Sequence, residues 1–347
     1  MSLCKEPVFS VILPVYNGER HVREAIQSVL AQALRQVELI IIDDGSKDSS
    51  GDIIGEMAKT DARIRHERRE NQGVASARNR GLELACGRYV TFIDQDDVLP
   101  PEALSDIVKA FDGTDADAVG GVAYDFYTTE GAKRYCLRSK RDGAYAIVEN
   151  PARNALYAEE PGVTTVRASI WARGYRRSSI CGLRFPDGVF GADDWMFTMR
   201  VMQRIEKYAN IPETVYLHRR HPDGISSAMP MRYIVDMLNA VRTMAGEWCD
   251  EGHIVSREEF ARALAGHVHL WGVMLPSLKK YTAQEERELS NALRSLRAAG
   301  LVPFVSFGHA VRYFLVRHGL KWLLPLLWPK RFKKMEKIRN NHAEEVG

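Results

Sequence analysis

Three short apolar runs in the first hundred residues each break off into polar or acidic residues, and this repetition limits the possible fold more than any other feature. VFSVIL (8–13) is stopped by Pro14 and followed by Tyr16 and Asn17. VELIII (37–42) runs into Asp43 and Asp44, and YVTFI (89–93) runs into Asp94, Gln95, Asp96 and Asp97. Between them, Val22, Ala25, Ile26, Val29 and Leu30 have helical spacing within 19–34, and Ser46 or Asp48 is placed to cap a helix through Met57. A weaker strand near Ile64 precedes a helix predicted from Val74 to Ala85. Continuous apolar strands alternating with helices predict a parallel sheet buried on both faces. Ligands of such sheets sit beyond the carboxyl ends of the strands. All three polar clusters fall on that rim, which is therefore the predicted site.

The cluster after residue 93 is the sharpest of the three. Three carboxylates in four positions repel one another and resist desolvation, so a cation, an Arg or a helix tip is expected beside them. The bland alternative is a strand-end turn whose Asp residues cap the helix starting near Pro101. Composition narrows the partners: 48 Lys+Arg against 45 Asp+Glu gives +3, too near neutral to argue for nucleic acid. The five cysteines are scattered and form no CxxC pair, so they read as reduced thiols without a zinc site. No basic region followed by a long apolar run opens the chain, and no 18-residue apolar stretch occurs, which places the expected chemistry in the cytoplasm.

Further along, VGGVAYDFY and TVYLHRRH are strand-like, and FPDGVFGADDWMFTMRVM puts Asp193, Asp194 and Trp195 at the start of a helix. Past residue 228 the periodicity turns helical, over 230–248, 256–279 and 283–299. The expected division is a catalytic α/β domain at 1–227, a helical appendage at 228–311 and a basic amphipathic tail at 312–347. Within 312–339 there are nine Lys or Arg against Glu336 alone, interleaved with Trp322, Trp328 and several Leu residues. Short apolar stretches with flanking Trp and abundant basic residues describe a segment lying in a membrane interface. The alternative is a helix packed on the protein's own core with a solvated basic tail.

SVILPVYNGERHV, ELIIIDDGSKDSS, NQGVASARNRGLELACGRYVTFIDQDD and FPDGVFGADDW together resemble the family 2 glycosyltransferases, in the family's order and at about its spacing, over residues 8–226. The resemblance implies the GT-A fold, a Rossmann-like nucleotide-binding mixed sheet flanked by helices. It implies inverting transfer of a hexosyl or N-acetylhexosaminyl group from a nucleotide-sugar to a saccharide or lipid-linked acceptor. Synthesis of bacterial surface polysaccharide or lipopolysaccharide, peripheral to the inner face of the cytoplasmic membrane, is the setting it implies.

By the same resemblance Asp94-Gln95-Asp96 matches the DxD motif, with Asp96 the best ligand for Mn²⁺ or Mg²⁺, Asp94 nearer the ribose or the metal, and Asp97 supporting. Hard cations prefer carboxylate oxygens, and a departing diphosphate develops charge that such a cation stabilises. Pro14, Tyr16 and Asn17 match the loop under the donor's base. Asp44 matches the base-contacting position, where a carboxylate accepting from the uracil imide N–H would favour UDP donors; capping a turn or helix is the alternative duty. Arg78 matches a basic residue near base and diphosphate. Asp194 matches the general base, with Asp193 where the family usually carries Glu, and Trp195 is an acceptor platform or a core residue. His218-Arg219-Arg220-His221 and Ser226 resemble the closing loop over the diphosphate. Two rivals remain: a sugar nucleotidyltransferase, whose Gly-rich phosphate loop LPVYNGERHV is not, and a catalytically silent membrane scaffold.

Overall fold

The computed structural model describes residues 7–127, 145–152, 169–221, 231–251, 254–260, 282–299 and 301. The chain divides into two compact units, Met1–Ala228 with Glu251–Ile254, and Met229–Asp250 with Val255–Gly347. In the first, β1 (Phe9–Val15), α1 (Val22–Leu30), β2 (Val37–Asp43), α2 (Ser50–Thr60), β3 (Ile64–Arg68), α3 (Val74–Leu84) and β4 (Tyr89–Phe92) alternate without interruption. Then follow α4 (Ala103–Thr114), β5 (Ala118–Phe126), β6 (Ala146–Glu149), β7 (Arg173–Arg176), the one-turn α5 (Arg177–Ile180), α6 (Asp193–Arg204) and β8 (Lys207–Arg219).

All eight strands form one sheet in the order β3-β2-β1-β4-β7-β5-β8-β6. The β3-β2-β1-β4 half is parallel, as the apolar runs predict, and every residue of β1, β2 and β4 is buried. The other half is mixed: β7 is antiparallel to both β4 and β5, and β6 is antiparallel to β8. The α/β architecture with a mixed sheet flanked by helices is thus the one expected. Helix α3 lies close on β1, where a Cβ on Gly81 would come within 2.4 Å of Ile12 Cγ2. Its buried face is Ala75, Ala77, Arg78, Asn79 and Gly81, so small residues bring the one long polar side chain, Arg78, under the rim of the sheet.

Pro14 corrects the sequence reading. It does not stop β1 but lies within it, opposite Ile42, and the strand runs on to Val15. Even-numbered residues of β1 face β4, as Ile93 N–H donating to the Ile12 carbonyl shows, and that ladder ends at the Ile12–Phe92 pair. The N–H that proline lacks would point past the end of β4, so no ladder bond is lost.

In the second unit, α7 (Met231–Ala245) continues into a π-helical turn at Gly246–Glu251 and packs against α8 (Ala283–Ala298). Trp248 is fully buried there, and Arg257 Nε donates to Asp250 at 3.0 Å. The helix expected over 256–279 falls largely outside the described residues, as do Ser226 and the basic tail 312–347. Among the described residues no helix is long and apolar enough to cross a membrane.

Candidate active site

The site begins with Arg78. Its Nη1 donates to Asp193 Oδ2 at 2.7 Å and to Asp194 Oδ1 at 2.6 Å, while Nη2 donates to Asp94 Oδ1 at 2.9 Å. One buried guanidinium therefore joins the end of β4 to the first turn of α6, over the ring of Phe185 at 5.5 Å. Burial works against the cation, but Asp194, Asp94 and Asp193 outweigh it and hold Arg78 above the ordinary arginine value. The sequence placed Arg78 near base and diphosphate; the structure places it among the carboxylates, because one acid beyond β4 and two in the first turn of α6 need a shared counter-charge.

Asp193 and Asp194 open α6, where acidic residues complement the helix dipole. The Asp194 carboxyl is raised well above its usual range: burial is the main cause, Arg78 opposes it, and the negative charges of Asp193 and Asp94 add to it. Three carboxylates sharing one guanidinium leave net negative charge, so the raised direction is the physically expected one. A carboxyl raised in this way whose side chain is still 25% exposed suits proton transfer. Trp195 is buried, with its neighbour Phe197 in an aromatic cluster with Phe92, Phe185 and Tyr175, so it packs as core.

Asp94 and Asp96 stand at the rim with side chains 32% and 29% exposed. Asp94 gives one oxygen to Arg78, and Asp96 Oδ2 lies 2.8 Å from His221 Nε2. The second oxygen of each has no protein hydrogen-bond partner among the described residues. Two partly exposed carboxylates with a free oxygen apiece fit a hard divalent cation that completes its shell with water and phosphate oxygens. Among the described residues, no group of three or more His, Cys, Asp or Glu is gathered as a metal site.

Asp97 departs from the expected ligand set. It is 1% exposed, accepts from Tyr216 Oη at 2.6 Å and from Arg219 N–H at 2.7 Å, and so faces the interior. Burial chiefly, then the charges of Asp96 and Asp94, raise its carboxyl well above the ordinary value. Its role is to fix the loop: Tyr216 Oη also accepts from Asp94 N–H, and Val98 and Leu217 exchange both backbone bonds. Arg219, expected over the diphosphate, is turned inward, with Nε on the Asp96 carbonyl and Nη2 on Glu24. Sequence reading gave no role to Tyr216; its place two residues before His218 on one strand face was the sole clue.

Asp44 shows its capping duty. It is 2% exposed and accepts from Arg69 Nε at 2.8 Å, Gln72 N–H at 3.2 Å and Gly73 N–H at 2.7 Å, anchoring the loop that enters α3. Tyr16, 43% exposed, and Asn17 lie at the rim beyond β1, with Asn17 at φ 51° bonded through its N–H to Ser46 Oγ. Pro14 is buried below them. The structure thus brings Asp94, Asp96, Arg78 and Asp194 together, with Tyr16 and Asn17 on the same rim, and turns Asp44 and Asp97 inward.

Residues 10–181 match the family model described as glycosyl transferase family 2. The chain is 29% identical over 237 residues to glycosyltransferase GlyA of Streptococcus pneumoniae, covering 67% of this chain and 33% of that protein. It is 30% identical over 223 residues to the uncharacterized glycosyltransferase EpsJ of Bacillus subtilis, covering 63% of each. The chain thus spans between a third and just under two thirds of these curated relatives. Staphylococcus aureus TarS 1–349 in complex with UDP-GlcNAc matches with a TM-score of 0.68 at 20% identity, over 92% of this chain and 91% of that one. The mannosyltransferase PcManGT of Pyrobaculum calidifontis, in complex with GDP-Man and Mn²⁺, matches with a TM-score of 0.55 at 20% identity, over 95% and 84%. These likenesses show the GT-A fold, and the matched family model marks residues 10–181 of the chain as a glycosyl transferase family 2 region.

Proposed function

We propose that the chain transfers a sugar, with inversion, from a UDP-sugar to a saccharide or lipid-linked acceptor in the synthesis of a bacterial surface polysaccharide. The observation that carries this reading is the bridge made by Arg78 between Asp94 on the donor rim and Asp194 at the tip of α6. Asp94 and Asp96 would hold a divalent cation, which would offset the charge that develops on the departing diphosphate. Asp194 receives the acceptor hydroxyl's proton on the oxygen that Arg78 leaves free, which is general-base catalysis. Tyr16 supports the base with its exposed ring, and Asp44 acts on the nucleoside through the 69–73 loop that it anchors. The complexes of TarS with UDP and UDP-GlcNAc support the choice of a UDP donor, and the GDP-Man complex of the more distant neighbour marks the competing choice.

The catalytic domain is assigned to 1–227, followed by a helical region at 228–311 and a basic tail at 312–347. The 312–339 segment holds the enzyme to the anionic face of the membrane, each basic residue contributing about 1 kcal/mol near such a surface. Calorimetry of the full chain with UDP and with GDP, each with and without Mn²⁺, tests the donor reading. Metal-assisted binding of UDP is the expected result. Preference for GDP overturns the choice of donor, and binding of neither favours the silent scaffold.

A further inference from the structure

The middle residue of the acidic motif has a place of its own. Gln95 Oε1 accepts from Tyr16 N–H at 2.8 Å, and Gln95 Nε2 donates to the Tyr16 carbonyl at 3.2 Å. Both backbone groups of Tyr16 are therefore taken by one side-chain amide. The partnership follows from the sheet. Residues 12, 14 and 16 of the chain face β4: Ile12 accepts from Ile93 N–H, Pro14 has no N–H to give, and β4 has ended. The Gln95 amide supplies the next rung in place of backbone. Gly18 makes room for it, since a Cβ there would come within 2.5 Å of Oε1.

We infer that Gln95 is a positioning residue that couples nucleoside recognition to the metal carboxylates, an inference resting on the donor-site reading above. Tyr16, with its exposed ring, is fixed by the same side chain whose backbone sits between Asp94 and Asp96. Ordering of the carboxylates by a cation thereby orders the Tyr16 loop, and binding at either end favours binding at the other. The bonds are exposed, so losing them leaves the buried core intact.

Calorimetry of the full chain with UDP, with and without Mn²⁺, reads this coupling as the ratio of the two affinities. In Gln95→Met, which keeps length and loses both bonds, that ratio falls by at least about fivefold while the thermal midpoint holds. Gln95→Glu gives the same loss, because a carboxylate accepts from Tyr16 N–H but repels its carbonyl. In a Tyr16→Ala background the Gln95→Met change has no further effect on the ratio. A merely structural role would lower both affinities together and leave the ratio unmoved. An unchanged ratio in both Gln95 variants overturns the coupling and leaves the donor site standing, as does wild-type binding of UDP that Mn²⁺ does not strengthen. Wild-type protein that binds no nucleotide overturns the donor-site reading and the coupling with it.

Discussion

Arg78 Nη1 donates to Asp194 Oδ1 at 2.6 Å, although 116 residues separate them. The same guanidinium holds Asp94 and Asp193, so it both cancels charge and fixes the end of β4 against the first turn of α6. Arg78→Ala leaves three crowded carboxylates without a counter-charge and is expected to destabilise the domain by about 3–5 kcal/mol in denaturant titration. Arg78→Lys keeps the charge but loses the fork. It is expected to fold and to release UDP from a UDP-sugar up to about 100-fold more slowly, the scale of a misplacement near 1 Å. Wild-type rates in Arg78→Lys would show that the charge alone matters.

The pH dependence of turnover follows from the raised Asp194 carboxyl. The proposed base, Asp194, acts deprotonated, so turnover is expected to rise with pH through a value above the ordinary aspartate range. Asp193→Asn removes one of the negative charges that raise it, and the acid limb of the rate profile is expected to move to lower pH. An unmoved limb would assign the ionisation to another group.

Asp97 gives a stability signature of opposite character to a paired surface acid. Its carboxyl lies above the unfolded value of about 3.9, so across that window the folded chain binds more protons than the unfolded one. Stability is therefore highest below the window and falls as pH rises through it. Asp97→Asn is expected to flatten that fall in thermal melts taken across acidic pH, and an equally steep fall would remove Asp97 as its source.

Truncation after residue 311 is expected to abolish sedimentation with vesicles rich in phosphatidylserine or phosphatidylglycerol while leaving UDP binding intact. Each lost basic residue weakens attachment by about 1 kcal/mol, and added salt does the same through screening. Full-length protein that never sediments with such vesicles would contradict the membrane role.

The parallel half of the fold was legible because strands covered on both faces must be largely apolar, and β1, β2 and β4 read as near-continuous apolar runs ending at one rim. Pro14 misled because its tolerance depends on where the neighbouring strand ends, which local sequence does not carry. Strand β7, RGYR, has no apolar run, yet it sits between β4 and β5 and supplies the antiparallel half with its link. The acidic residues were legible as clusters at one rim, but their partners were not. Whether Asp44, Asp94 or Asp97 faces solvent is decided by partners at 69–73, 78 and 216–219, and those contacts appear only once the chain closes.

The central claim is that Asp194 is the base of a donor site gathered by Arg78. Asp194→Asn keeps an acceptor for Arg78 and removes the capacity to take a proton. Turnover of a UDP-sugar by this variant, measured beside its UDP affinity with Mn²⁺, tests the claim most directly. The expected result is wild-type affinity with turnover lowered by about 10²–10⁴-fold. Wild-type turnover with intact binding would contradict it.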